Sequence, residues 1–274
     1  MKLTNLNSFV ERLSLSEPEE FTFRSFDDTE IHGWIMKPKG FDPSKKYPTL
    51  LYIKGGPSGQ NGYKFNPLLQ IGSLKGYVHF YINYRGCSGY GQDFSDAVIR
   101  DMGGGEFKDH MEAVDYILKT REYVDAENVG LYGGSYGGYL TNWIVTQTNR
   151  FKAAVSISSI SNFFSDWGTS AVHFWVESEL EGLPWDHMDL MIERSPIVHA
   201  DKVKTPVLFL QGEKDFCTPF GEAEQMFKAL KKIDVETKLV RYLNGSHGLR
   251  KKPVNRLDSI RRLFAWFDKH LKST

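Results

Sequence analysis

Five residues near the middle of the chain have the types and order that acyl transfer needs. Gly133-Gly134-Ser135-Tyr136-Gly137 is a G-x-S-x-G run, preceded by the strand-like stretch 128–132 and followed by a helix-like stretch over about 138–148. A serine attacks a carbonyl only if its Oγ stands clear of the sheet on a tight, strained turn, and the flanking glycines leave room for one. Taken alone, the run also reads as a glycine-rich strand-to-helix turn carrying a solvated serine. The choice between the two rests on what else the chain supplies.

A serine nucleophile requires a base, and the base an orienting carboxylate. When the serine leaves a parallel sheet in this way, acid and base follow it in chain order, each on a loop after a later strand. Of eight histidines, only His247 and His270 come late enough. His270 falls near the end of the last helical stretch and reads as a surface cap. His247, in Asn244-Gly245-Ser246-His247-Gly248, sits on a glycine-flanked loop just past a strand and is the base candidate. The acid should lie in 211–219, where Asp215 is preferred to Glu213 because it is farther out on the loop, although an Asp there also suits a turn. The developing oxyanion needs two donors. One is the amide of Tyr136, after the nucleophile. The other belongs to Lys54-Gly55-Gly56-Pro57, where proline has no N–H and Gly56 is favoured over Gly55. This loop carries neither a Walker pattern nor a dinucleotide fingerprint, and the chemistry calls for no cofactor and no metal.

Positioning these groups takes a sheet. Short, nearly continuous apolar runs at 49–53, 77–82, 129–132, 153–157, 207–210 and 237–243 read as strands buried on both faces, and an alternating hairpin over 20–26 and 31–37 makes eight strands. Helical spacing appears near 67–75, 106–120, 138–148, 219–231 and 255–271. The alternation predicts an α/β protein with an eight-stranded mostly parallel sheet and helices on both faces, in one domain spanning 1–274, and the serine elbow followed by acid and base makes the α/β-hydrolase fold the expected one. Leu3, Leu6, Phe9, Val10 and Leu13 are spaced for a lead-in helix within 1–18. The stretch 160–196 departs from the alternation. It is aromatic-dense and reads either as a peripheral excursion with its own small core or as a cap over the ligand crevice, with Trp167 and Trp175 as substrate-binding side chains. Under the second reading, apolar acyl-side residues are favoured over Asp or Lys.

Composition narrows the partners. Thirty-four basic and 34 acidic side chains cancel, so no global field recruits nucleic acid or an anionic membrane. No apolar run approaches the ~18 residues of a membrane span. Two cysteines, Cys87 and Cys217, point to a reducing, cytoplasmic setting. A small substrate is the expected partner, with self-association left open.

From residue 19 onward the chain resembles the catalytic domain of the prolyl oligopeptidase family of serine peptidases, in the pattern of its acylaminoacyl-peptidase and dipeptidyl-peptidase branches. The resemblance is carried by Asn83-Tyr84-Arg85-Gly86, Ser88-Gly89-Tyr90-Gly91, Gly133 to Tyr139, Ser195-Pro196, Lys204-Thr205-Pro206, Gly212-Glu213-Lys214-Asp215 and His247-Gly248. It implies Ser135, Asp215 and His247 as nucleophile, acid and base, and the amides of Gly56 and Tyr136 as oxyanion donors. The expected activity is cleavage of short peptides or acyl-aminoacyl substrates, with a carboxylesterase as the rival and a non-catalytic binding domain as a third reading. Two departures stand out. Lys54 replaces the histidine common in the family's His-Gly-Gly-Pro, and residues 1–20 hold nothing of the substrate-filtering propeller that most members carry.

Overall fold

The computed structural model describes residues 3–4, 6–249 and 251–272; Met1, Lys2 and Asn5 of the expected lead-in helix lie outside these. In chain order the elements are β1 (Pro18–Arg24), β2 (Glu30–Met36), β3 (Tyr47–Ile53), α1 (Pro67–Leu74), β4 (Val78–Asn83), α2 (Gln92–Asp96), α3 (Gly105–Thr120), β5 (Val124–Ser135) and α4 (Tyr136–Gln147). They continue with β6 (Ala153–Ser159), α5 (Phe163–Thr169), α6 (Phe174–Leu180), α7 (Met188–Glu193), β7 (Val207–Gly212), α8 (Phe220–Lys232), β8 (Thr237–Tyr242) and α9 (Pro253–Leu271).

The strands form one sheet in the order β1-β2-β4-β3-β5-β6-β7-β8. β2 pairs antiparallel with both β1 and β4, and every other pair is parallel. Every residue of β4 and of β7 is buried, which is why these strands read as nearly continuous apolar runs. At the edge, β1 alternates and keeps Phe21 and Phe23 inward. Helices cover both faces. On one side Val114 and Ile117 of α3, Leu140 and Ile144 of α4 and Leu230 of α8 share a core. On the other, Leu68 of α1 and Leu263, Phe264 and Phe267 of α9 pack on Tyr132, Val155 and Leu210.

Two segments differ from expectation. Among the described residues of 3–15 the only helical element is a 3-10 turn at Ser8–Arg12; Val10 is half-buried, but Leu3, Leu6, Phe9 and Leu13 stay exposed. Helical spacing holds a short helix in water only when its apolar face has something to bury against, and most of this face is left in solvent. The stretch 160–196, irregular in sequence, resolves into α5, α6 and α7 with a 3-10 turn at Pro184–Asp186. Phe163, Val176, Leu180 and Met191 bury into the same core as α3, α4 and α8 rather than into a small core of their own, while Phe164, Phe174 and Trp185 remain exposed as an apolar rim.

Candidate active site

Ser135 ends β5 and opens α4 with φ 60° and ψ −126°, a left-handed conformation that a non-glycine residue holds only when its surroundings impose it. The glycines impose it. A Cβ on Gly133 would lie 2.2 Å from the carbonyl oxygen of Gly137, and one on Gly137 would lie 2.3 Å from that of Ile53. Any side chain at either position would force the turn open. Tyr136 begins α4, so its N–H is among the first-turn amides that lack an intrahelical acceptor.

Asp215 follows β7 and is buried. Its Oδ1 accepts from the amides of Cys217 at 3.1 Å and Thr218 at 3.0 Å, and its Oδ2 accepts from the Thr218 hydroxyl at 3.2 Å. Nδ1 of His247 lies 3.0 Å from each carboxylate oxygen. This contact selects the tautomer with the proton on Nδ1 and leaves Nε2 as the basic nitrogen. Burial opposes charge on both groups, but their hydrogen bond and mutual attraction win, holding the Asp215 carboxyl low and raising the His247 imidazolium above its ordinary range. Glu213 turns away to Arg241 at 2.6 Å and the Asn244 amide at 2.9 Å. His270 lies against Glu236 and Trp266, on α9.

Beyond β3, the loop 54–58 passes against the elbow, close enough that a Cβ on Gly55 would meet the Gly134 carbonyl oxygen at 2.8 Å and the Ser135 Cβ at 3.1 Å. Gly56 adopts φ 140°, and a Cβ there would strike the Ser58 carbonyl. Lys54 is buried beneath this loop. Its Nζ donates to the carbonyls of Pro57, Gly55 (3.3 Å) and Ser58 (3.4 Å) and sits 4.6 Å from the centre of the Tyr84 ring. Burial lowers its pKa, partly offset by the neighbouring Cys87 thiol. A cavity of about 680 Å³ joins Ser135, His247, Gly55 and Gly56 with the aromatic side of Tyr52 and Tyr81.

Neither tryptophan expected to bind substrate lines that cavity. Trp175 comes edge-on to Tyr136, ring centres 6.0 Å apart. Trp167 instead donates to Glu177 at 2.9 Å and packs edge-on against Trp185.

The prolyl oligopeptidase family model, peptidase S9, matches residues 63–274. The chain belongs to this family. It is 43% identical over 274 residues to an uncharacterized peptidase, YuxL, of Bacillus subtilis (strain 168), a match covering 98% of this chain and 42% of that protein. Dipeptidyl-peptidase 5 of Porphyromonas gingivalis is 28% identical over 272 residues, 97% of this chain and 40% of its own. The solved Pyrococcus horikoshii acylaminoacyl peptidase superposes with a TM-score of 0.94 at 31% identity, over 100% of this chain and 45% of that one. The chain therefore spans less than half the length of these prolyl oligopeptidase relatives.

Three buried polar side chains around this candidate site carry no signal in the sequence. Lys54 reads as a departure from a motif, and its grip on three carbonyls appears only in the folded loop. Glu106, on α3, accepts from the Tyr136 hydroxyl at 2.7 Å and the Gly103 amide at 2.6 Å; burial pushes its carboxyl up to about 7 despite these bonds. Asp166, on α5, is fully buried. Each is an ordinary charged residue in a helix or loop until tertiary contacts enclose it.

Proposed function

We propose that the chain is a serine hydrolase cleaving short peptides or acyl-aminoacyl substrates through an acyl-enzyme. The observation that carries this reading is His247, held by the buried Asp215, lining the same cavity as the strained Ser135. In this scheme His247 Nε2 takes the Ser135 proton as Oγ attacks the scissile carbonyl, and Asp215 holds the ring and stabilises the imidazolium. The amides of Gly56 and Tyr136 receive the oxyanion. His247 then protonates the leaving amine, and water, activated by the same histidine, releases the acyl group. The names of the relatives, a dipeptidyl-peptidase and an acylaminoacyl peptidase, support a peptide rather than a simple ester as substrate. Two free thiols, Cys87 and Cys217, support a cytoplasmic location, and no described helix is long and apolar enough to cross a membrane.

The test is labelling by a fluorophosphonate with peptide mapping, alongside matched turnover of an acyl ester and the corresponding peptide amide. Label on Ser135 and amide turnover are expected. Label elsewhere, or none, would end the assignment, and ester turnover without amide turnover would make the protein a carboxylesterase.

A further inference from the structure

The cavity that joins Ser135 and His247 extends past both of them, and the acyl-enzyme scheme names no occupant for the rest of it. At about 680 Å³ it falls within the ~300–1,000 Å³ of small-ligand sites. Its lining is of two kinds. Tyr52, Tyr81, Leu68, Leu69 and Ile157 supply apolar wall, while the charged side chains are Lys54, Lys64 and Arg256. Among the described residues no aspartate or glutamate lines it, although the chain as a whole carries as many acids as bases. Asp215 is spent on the His247 ring and on the amides of its own loop.

Two of the three bases are placed to act on a ligand. Lys54 is turned under the oxyanion loop, where its Nζ serves the carbonyls of Gly55, Pro57 and Ser58. Lys64 is exposed on the loop that leads into α1. Arg256 is half-buried near the start of α9, and its charge is felt by the Tyr132 hydroxyl at the cavity wall. A cleft lined by charges of one sign, with low-dielectric walls, focuses its field on whatever enters. That field favours an anion.

The chemistry at the scissile bond decides which end of the substrate meets this field. Only the leaving nitrogen has to lie against His247, because that ring protonates it. His247, Gly248 and Arg256 all line the cavity, whereas nothing from 160–196, the segment expected to hold the acyl side, does so. We propose that the cavity is the subsite for the leaving-group residues and recognises a carboxylate there through Arg256 and Lys64, the free C-terminus of a short peptide. A guanidinium can meet a carboxylate with two parallel N–H donors, and the tyrosine and leucine wall suits an apolar side chain on the leaving residue. The substrate class is then a short peptide cut close to its C-terminus, not an internal segment of a long chain. The subsite rests on the acyl-enzyme reading and supplies the half of the substrate which that reading leaves open.

The experiment uses the full chain with acetyl-Phe-Leu, its C-terminal amide and the amide of acetyl-Phe-Glu. In the wild type kcat/KM for the free acid should exceed that for its amide at least about 10-fold, the worth of one charge-assisted hydrogen bond. That advantage should shrink as salt is raised, since Lys64 is exposed. Arg256→Met combined with Lys64→Met should bring the ratio near one, and Arg256→Lys alone should keep most of it. If the acetyl-Phe-Glu amide shares the acid's advantage and loses it in the double variant, the subsite stands and reads a side-chain carboxylate as well. A wild type indifferent to the free acid, or a double variant that slows acid and amide equally, would overturn the subsite. The dipeptide Leu-Leu, needing no variant, should slow fluorophosphonate labelling of wild-type Ser135 where Leu-Leu amide does not. The same labelling separates the two failures: a labelled enzyme with no preference for the acid loses only the subsite, and an unlabelled wild type loses the hydrolase reading itself.

Discussion

Nδ1 of His247 stands equidistant, at 3.0 Å, from both oxygens of Asp215, so the imidazolium is held by a carboxylate that three other donors already fix in place. Since the base must be neutral to accept the Ser135 proton, and the carboxylate raises its pKa, kcat/KM should fall as pH drops through a midpoint above the ~6.5 of a free imidazole. Asp215→Asn removes the charge that raises it and favours the wrong tautomer. The limb should move to lower pH and kcat should fall by on the order of 10⁴. A pH–rate profile of both proteins checks this, and a limb that stays in place would detach Asp215 from the base.

Gly137 tolerates no Cβ because the carbonyl oxygens of Ile53 and Lys54 stand 2.3 and 2.7 Å from where it would be. Gly137→Ala should push the end of β3 and the loop after it away from Ser135, costing about 1–3 kcal/mol of stability and most of the turnover. Ser135→Ala, by contrast, should abolish turnover without loss of melting temperature. Parallel melts and rates distinguish the two, and an active, stable Gly137→Ala would show that the elbow is looser than drawn.

Lys54→Met would leave the carbonyls of Gly55, Pro57 and Ser58 without their shared donor. The loop that offers the Gly56 amide should then lose its register against Ser135. We expect kcat to fall about 10- to 100-fold, part of the effect of deleting an oxyanion donor, with KM little changed. Affinity for a boronate transition-state analogue should fall in step. Unchanged boronate affinity would mean that Lys54 serves only the packing beneath the loop.

Arg85 joins three parts of the fold. It bonds both oxygens of the buried Asp109 at 2.8 and 2.9 Å, reaches Asp27 in the hairpin turn at 2.9 Å, and lies over the Phe26 ring at 4.5 Å. Arg85→Met would strand Asp109 in the interior and should cost about 3–5 kcal/mol, read as a drop in the urea midpoint. Asp109→Asn in the same background should recover part of it.

What could be read from the sequence was what local rules govern. The buried strands of the sheet show as apolar runs because both their faces are covered, and the elbow shows because Gly133 and Gly137 are demanded by backbone contacts within a few residues. Leu3, Leu6, Phe9 and Leu13 mislead for the opposite reason. Their spacing is helical, but a helix there depends on a surface that these residues do not meet. The roles of Lys54, Glu106 and Asp166 come from enclosure by elements distant in the chain, which no spacing encodes. Trp175 was legible as an aromatic near the crevice, but its position against Tyr136, apart from the cavity of Ser135 and His247, was not.

The strand order has a consequence for synthesis. β5, which delivers the proposed nucleophile, lies at the centre of the sheet, whereas Asp215 and His247 follow β7 and β8, the last two strands on one side. A ribosome emits Ser135 and its elbow more than a hundred residues before the base, and the glycine-bound turn can fold around β3 and β4 while β7 and β8 are still unmade. Until then the serine is exposed on a formed turn with nothing to take its proton. On the proposed triad, such a nascent chain is inert toward its neighbours, and hydrolytic power is expected only once the final strand pair docks.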